Sequence, residues 1–456
     1  MKVLLTHAYY LNEDPKEQAI MKPYVPLGIL YLSAYLDEHK VEHEVFDSTF
    51  FRFDEHFKHI QNKQYDVVAI YTNLMTKLNV LKLIKAIKND DSLKHSRIVL
   101  GGPEVRNHAE AFLNYGADVL IVGEGEETLL EVVQHIQTGS CNWPEIAGTI
   151  ILQEGKVHQH QERALVKDIN TLPFPNRHRV DLTKYQDVWK KHHGYSMVSM
   201  STMRGCPYTC KWCSRAVYGG TYRRRSAKLV VDEIEIIKRD YNPDKIWFVD
   251  DVFTINHKWL REFADELERR NVRVSYEIIT RADRMNDEVI ELLRRSGCFR
   301  VWIGAESGSQ KIIDAMDRRV DVMKVREMIK KSRRAGIEAG TFIMLGYPGE
   351  SRTDIKETIE HLVDAAPDLY TITVAYPIKG TRLYEEVQDK LTTSLNWAES
   401  TDRDLDFKRT HSRKYYDYAV RWVYNAVAAS RTDSLFAKMK YTLKGWAMQL
   451  FMLFAS

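Results

Sequence analysis

The chain has 456 residues, 44% of them hydrophobic and 28% charged, with a net charge of +3. That length exceeds one ordinary core, so two or three domains are expected, and the composition is that of a soluble globular protein. A charge so close to neutral at this length gives no reason to expect nucleic acid as the main partner.

The opening Met1-Lys2-Val3-Leu4-Leu5 runs straight into a strand pattern without a signal-peptide h-region. Together with only five cysteines, it predicts a cytoplasmic chain. Over 1–140, short apolar runs at 3–6, 43–46, 67–71, 97–100 and 119–122 alternate with helical periods at 27–39, 53–61, 78–88 and 108–115. Such alternation predicts a doubly wound parallel sheet with helices on both faces. Its ligands would bind beyond the carboxyl ends of the strands. Two loops stand there: Gly101-Gly102-Pro103-Glu104, whose paired glycines let backbone approach a ligand, and Gly123-Glu124-Gly125-Glu126-Glu127-Thr128. Tight turns and acidic helix starts would read the same way. His7, in the first loop, is expected to be a loop or core histidine.

Residues 141–195 form a linker in which 149–160 reads as a small hairpin, and Leu172-Pro173-Phe174-Pro175 crosses onward in extended form. Strand-then-helix alternation resumes over 196–385, with strands expected at 197–201, 245–249, 274–279, 299–303, 339–345 and 370–375. In barrels of parallel strands the chemistry gathers at the strands' carboxyl ends. After the first of them comes Arg204-Gly205-Cys206-Pro207-Tyr208-Thr209-Cys210-Lys211-Trp212-Cys213. Three thiolates this close can converge on one soft metal centre, as cysteines do on iron–sulfur clusters. A missing fourth cysteine would leave one iron open. A disulfide would strand one thiol, with Cys141 and Cys298 giving no paired framework. A structural zinc site wants four ligands, and His192 and His193 fall at no usual zinc spacing. The cluster is the preferred reading. The densest basic run, Arg223-Arg224-Arg225, is expected at a solvated helix entrance, with a phosphate or cofactor contact second. Asp250 and Asp251 close the second barrel strand, where one could cap the next helix.

Residues 386–456 are helical and aromatic-rich, which reads as core or interface packing. The end, 446–455, is apolar but too short to span a bilayer. Docking on the barrel or on a second subunit is preferred for it. The rival, with Lys438, Lys440 and Lys444 upstream, is peripheral contact with the inner face of a membrane.

The C-x3-C-x2-C spacing resembles the cluster motif of the radical S-adenosylmethionine (radical SAM) enzymes, and the six strand–helix units resemble their partial (β/α)6 barrel. The resemblance implies a [4Fe–4S] cluster on Cys206, Cys210 and Cys213, with S-adenosylmethionine on the open iron. Reductive cleavage would then release a 5′-deoxyadenosyl radical that removes a hydrogen atom from the substrate. It implies cofactor contacts for Glu306 and Ser307 in Gly304-Ala305-Glu306-Ser307 and for Ile343 beside the adenine, while Asp250, paired with Asp251 at the second strand's end, could fix a substrate or a cofactor hydroxyl. Arg281, after the third strand, could offer a two-pronged donor to the cofactor carboxylate.

In the first domain, the segment 23–36 with Gly101, Gly102, Gly123 and Glu124 resembles the cobalamin-binding domain that precedes many radical SAM cores. The D-x-H-x-x-G cobalt-ligand motif is absent. The resemblance spans 1–385 and implies cobalamin, a low-potential donor of the flavodoxin or ferredoxin type, and a small-molecule substrate of lipid-like or porphyrin kind. Radical methylation is the leading expectation. Oxidative cyclisation of the anaerobic magnesium-protoporphyrin monomethyl ester cyclase type, a chain whose first domain has lost cobalamin, and an iron–sulfur electron-transfer or sensor protein are the alternatives.

Overall fold

In the computed structural model, residues 1–139 and 143–455 are described, so Cys141 lies outside them. By residue contacts the chain forms two compact units: Met1–Pro207 with Ser214–Lys245 and Leu395–Thr401, and Tyr208–Cys213 with Ile246–Ser394 and Asp402–Ser456.

The first unit opens with β1 (Val3–His7), α1 (Pro15–Ile20), α2 (Leu27–Glu38), β2 (Glu44–Phe46), α3 (Phe53–Lys63) and β3 (Val67–Tyr71). It continues through α4 (Lys77–Asn89), β4 (Arg97–Gly101), α5 (Ala109–Tyr115), β5 (Val119–Ile121), α6 (Glu126–Gln137), β6 (Thr149–Gln153) and β7 (Lys156–Gln159). The sheet order is β2-β1-β3-β4-β5-β6-β7. β1 to β5 pair in parallel, while β6 and β7 join antiparallel. The hairpin read in the linker therefore extends this sheet. Alternate side chains feed two cores. Leu4, Val68, Ile70, Ile98, Leu100 and Leu120 enter one, and Val3, Leu5, Val67, Ala69, Val99 and Val119 the other. Burial on both faces is why these strands read as unbroken apolar runs. Beyond them come α7 (Leu182–His193), β8 (Met197–Met200), the two-residue ribbon β9 (Met203–Arg204) with β10 (Arg223–Arg224), and α8 (Ala227–Asp240).

The second sheet has the order β15-β14-β13-β12-β11-β8, with β11 (Lys245–Phe248), β12 (Tyr276–Thr280), β13 (Cys298–Glu306), β14 (Glu338–Leu345) and β15 (Leu369–Val374). β11 to β15 pair in parallel. Between and after them lie α9 (His257–Arg269), α10 (Asp287–Ser296), α11 (Gln310–Ala315), α12 (Val322–Arg334), α13 (Arg352–Ala365) and α14 (Arg382–Val387). The chain closes on α15 (Arg413–Arg431) and α16 (Leu435–Phe454). This is the expected α/β architecture of parallel sheets with a helical extension.

Three local expectations are corrected. The N-cap of α9 is Asn256, whose Oδ1 accepts from the Trp259 amide at 3.0 Å, so neither Asp250 nor Asp251 caps it. The basic run is not solvated. Arg225 is buried, donating to the Leu172 and Pro173 carbonyls at 3.0 and 2.7 Å, and Arg223 pairs with Glu124 at 2.7 Å. The apolar end of α16 does not dock on the barrel by its apolar side. It packs on α15 through Gly445 and Met452, while Trp446, Leu450 and Phe454 face solvent.

Candidate active site

In the second unit, the loop Tyr208–Cys213 is held by backbone. The Lys211 amide donates to the Met316 carbonyl at 3.1 Å, and the Leu383 amide to the Lys211 carbonyl at 2.9 Å. Thr209 Oγ1 donates to Asp317 at 2.9 Å, and Arg382 reaches the same carboxylate at 2.8 Å. Cys210 is thereby buried, and two guanidinium groups flank it. Arg281 Nη1 lies 3.6 Å from its sulfur and Arg318 Nη1 3.5 Å.

Arg281 follows β12 and is one of the largest fully buried side chains. Its Nε donates to Asp283 at 2.8 Å, its Nη2 to the Arg318 carbonyl at 2.6 Å, and its plane covers the Tyr208 ring at 3.8 Å. Arg318 was not legible in the sequence. It sits in the turn Met316-Asp317-Arg318-Arg319, which reads as ordinary surface charge. Its Nη2 donates to the Gly304 carbonyl at 3.0 Å and approaches Glu306 at 3.6 Å, while its buried Nε has no hydrogen-bond partner among the described residues. Burial opposes its charge, but Glu306 and the Cys210 sulfur hold the guanidinium protonated above its ordinary range. A side chain at Gly304 would come within 2.3 Å of that guanidinium, which explains the glycine.

Glu306 ends β13 at φ +65, a left-handed conformation costly for a residue with a side chain. Burial pushes its carboxyl up, against the pull of Arg318 and Arg281. Ser307, also buried, accepts from the Ser309 amide at 3.1 Å and lies 3.3 Å from Thr358 Oγ1, so its hydroxyl already braces the turn. Ile343 is buried on β14 opposite Glu306 in register. Asp250 is buried and Asp251 exposed.

In the first unit, a cavity of about 240 Å³ opens at the strand ends, lined by Tyr71, Gly101, Gly102, Gly123, Glu124, Arg204 and Tyr218 among others. Gly102 has φ +113, and a Cβ there would stand 2.2 Å from the Thr72 carbonyl oxygen, so only glycine fits. Glu124 is not a free acceptor. One oxygen takes Arg204 at 2.7 Å, and the other takes Arg223 and the Val166 amide at 2.7 and 2.8 Å. Burial raises its pKa, but these arginines win and hold it below the usual carboxylate range. Arg204 also bonds Glu126 at 2.5 Å. Neither arginine's ion pairs were legible in the sequence, since the acidic partners lie about 80 or more positions away. His7 is a core histidine as expected, with Nε2 on Asp47 at 2.9 Å and Nδ1 facing Ser48 and the Tyr9 amide.

Cys206, Cys210, Cys213 and Cys298 are not joined in disulfides, which removes the disulfide reading among the described residues. Among those residues, no three His, Cys, Asp or Glu side chains stand together as a metal site. The donor chemistry suits a cluster nonetheless: three cysteines within eight residues, one of them beside two cations. Five glycines among the cavity's lining let a ligand come close to backbone there, and no histidine lines it.

Residues 200–362 match the Radical SAM superfamily, and residues 20–133 match the B12 binding domain. The chain is a radical SAM enzyme with a B12-binding domain. Members of these two families work with a [4Fe–4S] cluster, S-adenosylmethionine and cobalamin, the cofactors expected from the sequence. An uncharacterized methyltransferase of Pyrococcus horikoshii is 28% identical, over 85% of this chain and 83% of its own. A cytidylyl-2-hydroxyethylphosphonate methyltransferase of Streptomyces wedmorensis is 24% identical, over 79% and 77%. Among solved structures, the radical SAM methyltransferase TsrM of Kitasatospora setae superposes with a TM-score of 0.73 at 14% identity, covering 98% of this chain and 99% of its own. The cobalamin-dependent radical enzyme OxsB gives 0.76 at 15% identity, covering 99% and 72%. These similarities show the fold. No helix of the described residues is long and apolar enough to cross a membrane.

Proposed function

We propose that this radical SAM enzyme methylates an unreactive carbon or phosphorus centre of a small molecule, drawing electrons from a low-potential flavodoxin or ferredoxin. Bound together, the cluster and S-adenosylmethionine supply reductive cleavage and a hydrogen-abstracting radical, and cobalamin supplies the methyl group. Cys206, Cys210 and Cys213 would hold the cluster. Arg281 and Arg318 would balance the Cys210 thiolate, and the unpartnered Nε of Arg318 would be available to the cofactor carboxylate. Glu306 and Ser307 would face the amino and ribose groups, with Ile343 and Asp250 as flanking walls. Gly101, Gly102 and Gly123 would let the corrinoid reach backbone, beside a Glu124 immobilised by its arginines.

The observation carrying the reading is the buried Cys210 sulfur between two guanidinium groups at the barrel's strand ends. Relatives with methyl-transfer names match over most of their own length, 83% and 77%, whereas the cyclase relatives match over 45% and 50% of theirs, which favours methylation over the cyclase reading. The methyl-transfer names include a phosphonate, a hopanoid and a bacteriochlorophyllide. Their substrates share no scaffold, so the assigned class stays at small molecule.

Methyl-labelled S-adenosylmethionine tests the proposal on the reconstituted chain. Label in the corrinoid fraction, and then in a product, is expected. Label recovered only in methionine would transfer the assignment to a cyclase or to a chain that no longer uses cobalamin.

A further inference from the structure

α16 carries an unusual surface for a folded chain. Phe454 is 82% exposed, Phe436 79% and Leu435 73%, and Met439, Leu443, Trp446, Leu450 and Leu453 are exposed as well. Single exposed apolar residues are ordinary, but a contiguous apolar patch marks an interaction site. At 3.6 residues per turn, Leu435, Met439, Leu443, Trp446, Leu450 and Leu453 share an arc of about 80°, with Phe436 and Phe454 just beyond its edge. The helix is pinned by its other side. A Cβ on Gly445 would sit 3.6 Å from Trp422 of α15, Met452 is buried, Phe451 stacks on Tyr418 at 5.3 Å, and Gln449 accepts from Arg352 at 2.6 Å. The apolar arc is thus a fixed, outward-facing stripe running along a helix about 30 Å long.

Charge selects the partner. Lys440 lies about 60° beyond one edge of the arc and Lys438 about 60° beyond the other, with Lys444 further round beside Lys440. All three are exposed, and from Leu435 to Phe454 there is no acidic residue. A second copy of the helix would bring like charges together without offering a carboxylate to either set. A surface of anionic headgroups over acyl chains satisfies both features, with lysines at the phosphates and leucine, phenylalanine and tryptophan below them.

We propose that α16 lies in the headgroup region of an anionic lipid surface, apolar arc inward, and holds the enzyme there. The proposal is independent of which group the enzyme transfers.

Co-sedimentation of the reconstituted full chain with phosphatidylcholine vesicles, with or without phosphatidylglycerol, tests it. Binding to the phosphatidylglycerol vesicles is expected, weakening with salt. Each of Lys438→Gln, Lys440→Gln and Lys444→Gln should lower partitioning by about fivefold. Trp446→Glu should abolish binding, and Phe454→Glu, at the fraying end of the helix, should do the same without risk to the α15 contact. Circular dichroism checks that both variants stay folded. Failure to bind either vesicle overturns the proposal, as does equal binding to neutral vesicles. A dimer by light scattering that Phe454→Glu dissolves, without vesicle binding, overturns it in favour of self-association.

Discussion

Cys210 differs from its two neighbours in the motif by the company it keeps. Two guanidinium groups stand within 3.6 Å of its sulfur, and both are buried, where charge is weakly screened. A cation beside a cluster ligand favours the reduced, more negative cluster. Replacing Arg318 by methionine should therefore lower the cluster's midpoint potential on the order of 60 mV, one decade for a one-electron couple. It should also weaken S-adenosylmethionine binding. Arg318→Lys should restore most of the potential but little of the affinity, because an ammonium lacks the planar fork. Electron paramagnetic resonance titration and equilibrium binding read the two effects separately. Arg281 was legible because it follows a barrel strand, whereas Arg318 lies after a short helix and declares itself only through the fold. Glu350 was likewise invisible. It is fully buried, accepts from the Gly346 amide at 2.5 Å, and leaves its other oxygen unpaired. Burial raises its pKa from 4.5 to about 8, against that backbone bond. The folded state then binds a proton that the unfolded state has lost. The stability this contributes is complete below about pH 4.5 and fades as pH rises through about 8. Glu350→Gln should flatten that fall, as denaturant unfolding across this range would show.

At the scale of elements, strand–helix alternation sufficed to expect both sheets, since strands buried on both faces leave continuous apolar runs. The loops were half legible. Glycine pairs marked where backbone comes close, and Gly102 meets the Thr72 carbonyl as such a pair should. The sequence could not show that Glu124 and Glu126 are the acidic half of a buried network. Their partner Arg204 is 80 and 78 positions away, and the arginine run at 223–225 looked solvated for the same reason. Arg204 stands two residues before Cys206, so the ion pairs tie the strand ends of the first sheet to the approach to the cysteine loop. Arg204→Met leaves the buried Glu126 without its cation, while Glu124 keeps Arg223 and the Val166 amide, and should cost about 3 kcal/mol in anaerobic denaturant unfolding. Adding Glu126→Gln should recover much of that loss, because the uncompensated charge is then gone.

For the whole molecule, two family matches on one chain, over 20–133 and 200–362, agree with a sequence in which cluster motif and strand-end loops recur in the expected order. The cysteines alone allowed an electron-transfer or sensor protein, and the barrel loops around them argue for turnover. What the chain could not disclose is its substrate, because the methyl acceptor is chosen by side chains whose convergence depends on the fold rather than on local spacing. The central claim is that the Cys206–Cys210–Cys213 centre cleaves S-adenosylmethionine. Quantifying 5′-deoxyadenosine from the reduced, cluster-loaded enzyme tests it most directly. Wild type should form 5′-deoxyadenosine together with methionine, and Cys210→Ala should form neither. A wild-type enzyme with an intact reduced cluster and bound S-adenosylmethionine that yields no 5′-deoxyadenosine would contradict it.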